Sequence, residues 1–224
     1  MALVDELKHE LHAARRESAD YERLRAQIMG EAYAATVRAL SNAISARDAY
    51  MGRHAERVAE YGELIARAVD RELVDDPQVE FGFLLHDIGK LAVPDTVLNK
   101  RGPLSPREWR LVKRHPEIGF EILREIDFLD RARCVVLYHH ERWDGRGYPE
   151  QLEGDAIPME ARVFAVADAL NAMTSPRPYR GPVELHAARE EIERGSGAQF
   201  DPAVVEALRR VPDDEFERIR NAKG

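Results

Sequence analysis

The chain opens on a long stretch with one repeating pattern. Residues 3 to 47 contain no proline and a single glycine, Gly30. Leu7, Leu11, Ala14, Ser18, Tyr21 and Ile28 recur at three- and four-residue intervals, and Val37, Leu40 and Ile44 resume the spacing in a shifted phase. Glu, Arg and Lys fill most of the remainder, which predicts a long amphipathic helix, or two helices joined near Gly30. Small residues on the stripe leave two readings open: a helix lying against its own domain, or a coiled-coil helix that forms a homodimer or transmits a signal. From residue 48 the texture changes to short helical patterns broken by Pro and Gly. Val58, Tyr61, Leu64, Ile65 and Val69 mark one helix. Pro77 opens another through Phe81, Leu84, Leu85 and Ile88, with Gly89 near its end. Ser105-Pro106-Arg107-Glu108 has the form of a capping box ahead of Trp109, Leu111 and Val112. Met159 to Met173 and Pro202 to Arg210 predict two more helices, the second being the last major one. Strand-length alternation is essentially absent. The expectation is an all-α protein, a helical bundle at 48–224 preceded by a long amphipathic segment at 1–47.

Composition narrows the classes. A formal charge of −8 argues against a protein that coats nucleic acid, and DNA is not an expected partner. No apolar run approaches the roughly 18 residues of a membrane span, and the charged start MALVDELKHE does not read as a secretory signal. The lone Cys134 excludes an intrachain disulfide framework and a Cys-rich zinc site, and fits a reducing cytoplasm.

The candidate chemistry lies in the histidines. His9, His12 and His186 read as surface residues. His86-Asp87 interrupts the apolar run LLHDIGKLAV, His139-His140-Glu141 closes CVVLY, and Asp168 stands inside FAVADAL. A carboxylate on an apolar helix needs a partner. Singly, His54 or His115 reads as an ordinary helix histidine and Asp168 as a cap or ion-pair member. Together they suggest a metal site, for which imidazole and carboxylate without thiolate suit Mn, Fe or Zn better than Mg or Ca. Neighbouring residues on a helix diverge by about 100°, so two adjacent pairs imply a centre wider than one ion.

At these residues a resemblance becomes specific. His86-Asp87-Ile88-Gly89-Lys90 resembles the signature of HD-domain phosphohydrolases, and the run His139 to Pro149, HHERWDGRGYP, resembles that of the HD-GYP subfamily. Flanking stretches over about residues 45–210 agree. The resemblance implies an all-helical metallophosphodiesterase that hydrolyses cyclic di-GMP to pGpG and, in some members, onward to GMP. By residue matching it implies that His54, His86, Asp87 and Asp168 hold one divalent metal. Asp87 would bridge to a second, held also by His115, His139 and His140, both most simply Fe or Mn, with Zn as the alternative. A glutamate that binds a third metal in some members is replaced here by Tyr50, so a binuclear site is expected. Two metals about 4 Å apart acidify a water and polarise phosphoryl oxygens. Lys90, one helical turn beyond His86, is expected to reach a phosphate oxygen.

Residues 86–115 hold seven Lys and Arg against three carboxylates, a basic stretch within an acidic chain. Arg177 and Arg180 match positions near the substrate, where arginine can grip phosphate or a guanine edge. Tyr148, in the Gly147-Tyr148-Pro149 loop, is expected to shape the substrate mouth or to dock a GGDEF-type cyclase. The subfamily carries aspartates where this chain has Asn171 and Pro176, which bears on substrate contacts. The competing readings are a hydrolase of another cyclic dinucleotide or a nucleotide, and a weakly catalytic signalling adaptor.

Overall fold

The computed structural model describes residues 2–47, 54–176 and 181–222. The side chains of His9 and His12, and residues Tyr50, Arg177 and Arg180, lie outside the described residues. The described residues form helices without a strand. In order these are α1 (Ala2–Arg47), α2 (His54–Val69), α3 (Glu72–Asp75), α4 (Pro77–Leu85), α5 (Asp95–Leu98), α6 (Pro106–Val112) and α7 (His115–Leu123). There follow α8 (Ala132–Tyr138), α9 (Met159–Thr174), α10 (Leu185–Arg194), α11 (Pro202–Arg210) and α12 (Asp213–Ala222). No described helix is long and apolar enough to cross a membrane.

The chain divides into two compact units, Met1–Ala39 and Leu40–Gly224. In the first, α1 runs through Gly30 without a break, so the single glycine costs helix stability without ending it. Tyr21, Leu24, Ile28 and Met29 are exposed on it.

In the second unit local signals set the helix starts. Asp76 caps α4 by accepting from the Gln78 amide at 2.9 Å, with Pro77 at the first helical position. Ser105 and Glu108 make both bonds of the capping box that opens α6, as the sequence predicts. Asp201 caps α11 through the Ala203 amide at 2.7 Å. Helix α2 packs on α4 and α9, α8 packs on α4, α7 and α9, α11 and α12 cover α2, and α10 covers α9. The core at their centre includes Tyr61, Ile65, Phe83, Leu85, Phe164, Leu170, Leu208 and Phe216, all essentially inaccessible to solvent. Helices α10 and α12 are additions to the sequence reading. Both are strongly charged, with only Leu185, Ala188 and Ile192, or Phe216 and Ile219, buried.

One expectation is corrected. The run LLHDIGKLAV is not a single helix: α4 ends at Leu85, and a 3-10 turn covers Ile88–Ala92. His139 and His140 likewise follow the end of α8. Both adjacent pairs stand just past the ends of their helices, with His86 and His139 still in right-handed helical backbone conformation.

Candidate metal centre

Helix ends deliver most of the site. His54 is the first residue of α2, His86 follows α4, His115 begins α7, and His139-His140 follow α8; Asp168 alone sits in mid-helix, on α9. The elements meet because Gly89 lets them. Gly89 packs so tightly on α7 that a Cβ there would stand 1.8 Å from the His115 carbonyl oxygen and 2.6 Å from the Gly119 amide. This contact brings His86 and Asp87 to His115. Phe164 backs the cluster as an apolar wall, with its ring 4.7 Å from that of His86 and 5.5 Å from that of His139.

Asp87 lies at the centre and is buried. Its Oδ2 is 3.0 Å from His86 Nε2 and 2.7 Å from Lys90 Nζ, and its Oδ1 is 3.3 Å from His115 Nε2. Burial opposes its charge, but His86 and Lys90 outweigh that and hold the carboxyl well below its usual range. His86 goes the other way: burial disfavours its imidazolium, yet the Asp87 carboxylate raises its pKa. Burial disfavours the charged form of the remaining rings. Burial lowers His54 and His115 to about 4 and His140 to about 3, and pushes His139 down as well.

The donor chemistry carries the argument. His115 Nδ1 donates to the Val112 carbonyl at 2.8 Å and His139 Nδ1 to the Val136 carbonyl at 2.9 Å. A carbonyl only accepts, so the proton of each neutral ring is on Nδ1. Yet the two Nε2 atoms face one another at 3.0 Å. Two lone pairs at that distance repel unless a cation sits between them. Donor atoms of His115, His139 and His140 all lie within 4.8 Å of one another. The 3.0 Å between the His115 and His139 Nε2 atoms suits neighbouring ligands about an ion with metal–nitrogen bonds of roughly 2.1 Å. The residues present therefore fit a divalent metal. His54 and Asp168 make a second edge, with Nε2 and Oδ1 3.4 Å apart.

Tyr148 stacks on His140 at 4.7 Å between centroids and 27° between planes, and Lys113 Nζ lies 5.0 Å over the Tyr148 ring. Most of the basic stretch at 100–114 is solvent-exposed, and Lys100 is paired with Glu108 at 2.6 Å. Asn171 corrects another expectation. It is 1% exposed and its amide is taken up by His54, Arg57 and Ser175, so it is not placed to touch a substrate.

Sequence reasoning assigned no role to Glu141. Its carboxylate is buried and accepts the backbone N–H groups of Glu150 at 2.7 Å, Gln151 at 3.0 Å and Leu152 at 3.1 Å. It ties the loop that carries Tyr148 back to the His139-His140 corner. Gly147 completes the clamp, since a Cβ there would meet the Glu141 Cα and the Arg142 amide at 2.5 Å. The sequence signal was a carboxylate directly after two histidines. Glu141→Ala strands three amides, and should cost about 2 kcal/mol or more, read as a lowered midpoint in urea. An unchanged midpoint would show that the loop holds itself.

Comparison with known proteins places this geometry. Residues 38–204 match the model of a family described as HD domain. A cyclic di-GMP phosphodiesterase of Thermotoga maritima is 40% identical over 179 residues, covering 79% of this chain and 49% of the relative. A 3′3′-cGAMP-specific phosphodiesterase of Vibrio cholerae is 38% identical over 183 residues, covering 81% of this chain and 35% of the relative. The chain thus spans a third to a half of these relatives. Among solved structures, a cyclic GMP-AMP-specific phosphodiesterase of V. cholerae superposes with a TM-score of 0.59 at 21% identity, over 84% of this chain and 54% of that one. The HD domain of the Listeria monocytogenes phosphodiesterase PgpH, in complex with cyclic di-AMP, gives 0.53 at 19%, over 82% and 96%. Both show the shared fold.

Proposed function

The chain belongs to the HD-domain family, and from that premise we propose that it is a metal-dependent phosphodiesterase acting on cyclic di-GMP. The facing Nε2 atoms of His115 and His139, beside the Asp87 carboxylate, carry the reading. They form a pocket of electron pairs that a cation completes. We assign His115, His139, His140 and Asp87 to one divalent ion, and His86, His54 and Asp168, with Asp87 as the bridge, to a second. Iron or manganese suits this all-N/O donor set. When bound, such ions supply Lewis acidity toward a phosphoryl oxygen and lower the pKa of a water.

The protein's own groups supply the rest. Asp87 offers one oxygen toward His86 and the other toward His115, which suits a bridge. Lys90 Nζ donates to Asp87 Oδ2 at 2.7 Å with its side chain 21% exposed. A phosphate arriving there would find an ammonium already oriented. Phe164 keeps bulk water from the back of the cluster, which strengthens electrostatic interactions within it. Tyr148, over His140, offers an aromatic face for a base, and Lys113 adds positive charge at its side. Arg177 and Arg180 are proposed as phosphate or guanine contacts. The Gly147-Tyr148-Pro149 loop as a docking surface for a GGDEF-type cyclase, and a homodimer through the amphipathic helix, stand as partner proposals of the same account. So do a cytoplasmic setting and a division into an N-terminal helical segment at 1–47 and a catalytic domain at 48–224.

The test is a substrate panel of cyclic di-GMP, 3′3′-cGAMP and pGpG, run anaerobically with Fe(II) or Mn(II) and followed by chromatography. Cyclic di-GMP should give pGpG with the highest kcat/KM, and a chelator should stop it. A second reading, preference for 3′3′-cGAMP, is favoured by the relative named for that substrate and would appear as a reversed ranking. Intact cyclic dinucleotides after incubation with metal-loaded protein would refute both and favour an adaptor.

A further inference from the structure

The histidines of the cluster are not held alike. His86, His115 and His139 each place Nδ1 against the carbonyl of the residue three positions earlier, Phe83, Val112 and Val136, at 2.8, 2.8 and 2.9 Å. Each carbonyl fixes a proton on Nδ1. His115 and His139, as neutral rings, turn a bare Nε2 inward, which is the arrangement a metal ligand needs.

His54 has a different partner. Its Nδ1 lies 2.6 Å from Nδ2 of Asn171. The amide cannot be read the other way round. Asn171 Oδ1 accepts from Arg57 Nε at 3.1 Å and from Ser175 Oγ at 3.0 Å, and Arg57 is a donor only. The oxygen therefore faces Arg57 and the NH₂ faces His54. An NH₂ requires an acceptor, so Nδ1 of the neutral ring is bare and the proton is on Nε2. That atom is the one 3.4 Å from Asp168 Oδ1.

We infer that Asn171, held by Arg57 and Ser175, is a positioning residue that biases His54 toward the tautomer unable to ligate through Nε2, and so makes the two halves of the centre unequal. For His54 to bind a metal at Nε2, its proton must move to Nδ1 and confront the Asn171 NH₂, or the amide must turn and confront Arg57 with its own NH₂. Either route gives up a hydrogen bond in a buried place. His115 and His139, with Nδ1 on the Val112 and Val136 carbonyls, carry no such conflict. The chain should therefore fill one position at low metal and the second only at higher metal. An aspartate at 171 would accept from both His54 and Arg57 and remove the conflict.

The inference rests on the binuclear reading, and two readouts separate them. In metal-free protein, ¹⁵N correlation spectra of the imidazole rings should place the His54 proton on Nε2 and those of His115 and His139 on Nδ1. Asn171→Asp should move the His54 proton to Nδ1. Arg57→Met, which frees the amide to turn, should shift it in the same direction and serves if the first variant folds poorly. Equilibrium dialysis against Mn(II) with elemental analysis should then show one tight equivalent and a weaker second. The second should tighten about 10–100-fold in Asn171→Asp, the usual weight of an outer-sphere partner, with the first unchanged. A His54 proton on Nδ1 in the wild-type chain, or a second equivalent indifferent to both substitutions, would overturn the inference. Failure of either protein to bind Mn(II), with the tautomers as expected, would overturn the metal reading and leave the Asn171 assignment standing.

Discussion

Asp87→Ala should abolish metal retention and cyclic di-GMP hydrolysis together. The carboxylate contacts both sides of the cluster, at 3.0 Å from His86 Nε2 and 3.3 Å from His115 Nε2. It also pairs with Lys90 Nζ at 2.7 Å, so its loss removes a carboxylate that an ammonium and an imidazole share. Metal affinity should fall by more than the roughly 10–100-fold that an outer-sphere partner is worth. Activity should drop by about a thousandfold or more, at the upper end of what one electrostatic group contributes in a catalytic site. Asp87→Asn, which preserves shape, should fold normally and still lose the metal. Dialysed protein assayed for metal and turnover in the same sample checks both. Activity persisting in either variant would remove Asp87 from the bridging role.

Gly89→Ala should be nearly as damaging, by a different route. The added Cβ would meet the His115 carbonyl oxygen at 1.8 Å, the Gly119 amide at 2.6 Å and the His115 carbonyl carbon at 2.8 Å. All three are backbone atoms, so no side chain can rotate aside. The 3-10 turn at Ile88–Ala92 and helix α7 would have to separate, and Asp87 would lose His115 with them. Overpacking of this kind costs about 3 kcal/mol or more, which corresponds to a melting temperature lowered by roughly 10 °C in a protein of this size. Metal content should fall in parallel. Gly30→Ala provides the control, because a Cβ there meets nothing within 4 Å. It should be neutral or stabilising by up to about 1 kcal/mol. Equal melting temperatures for the two variants would show that the close approach at Gly89 is not needed.

Much of the fold was legible because local chemistry wrote it. The capping box at Ser105 and Glu108, and Pro77 at a helix start, are short-range signals that the structure reproduces. The histidines were legible as a group because polar residues in apolar runs demand partners. Their geometry was not. Apolar spacing continues through LLHDIGKLAV as if one helix ran on, yet α4 ends at Leu85 and Gly89 packs on the His115 carbonyl, a contact between positions 26 residues apart. The role of Glu141 and the partners of Asn171 were hidden for the same reason. Glu141 accepts from amides nine to eleven residues ahead, and Asn171 lies against residues 114 and 117 positions earlier. Hydrophobic periodicity carries no record of such pairings.

The central claim is that these seven side chains are a two-metal centre. Crystals of the chain grown at saturating Mn(II) and measured at the manganese absorption edge test it directly. The account predicts two anomalous peaks about 4 Å apart, on either side of Asp87, one against His115, His139 and His140 and the other toward His54 and Asp168. A cluster with no peak, or a single ion at full saturation with Asp87 bound to it through one side only, would contradict the account.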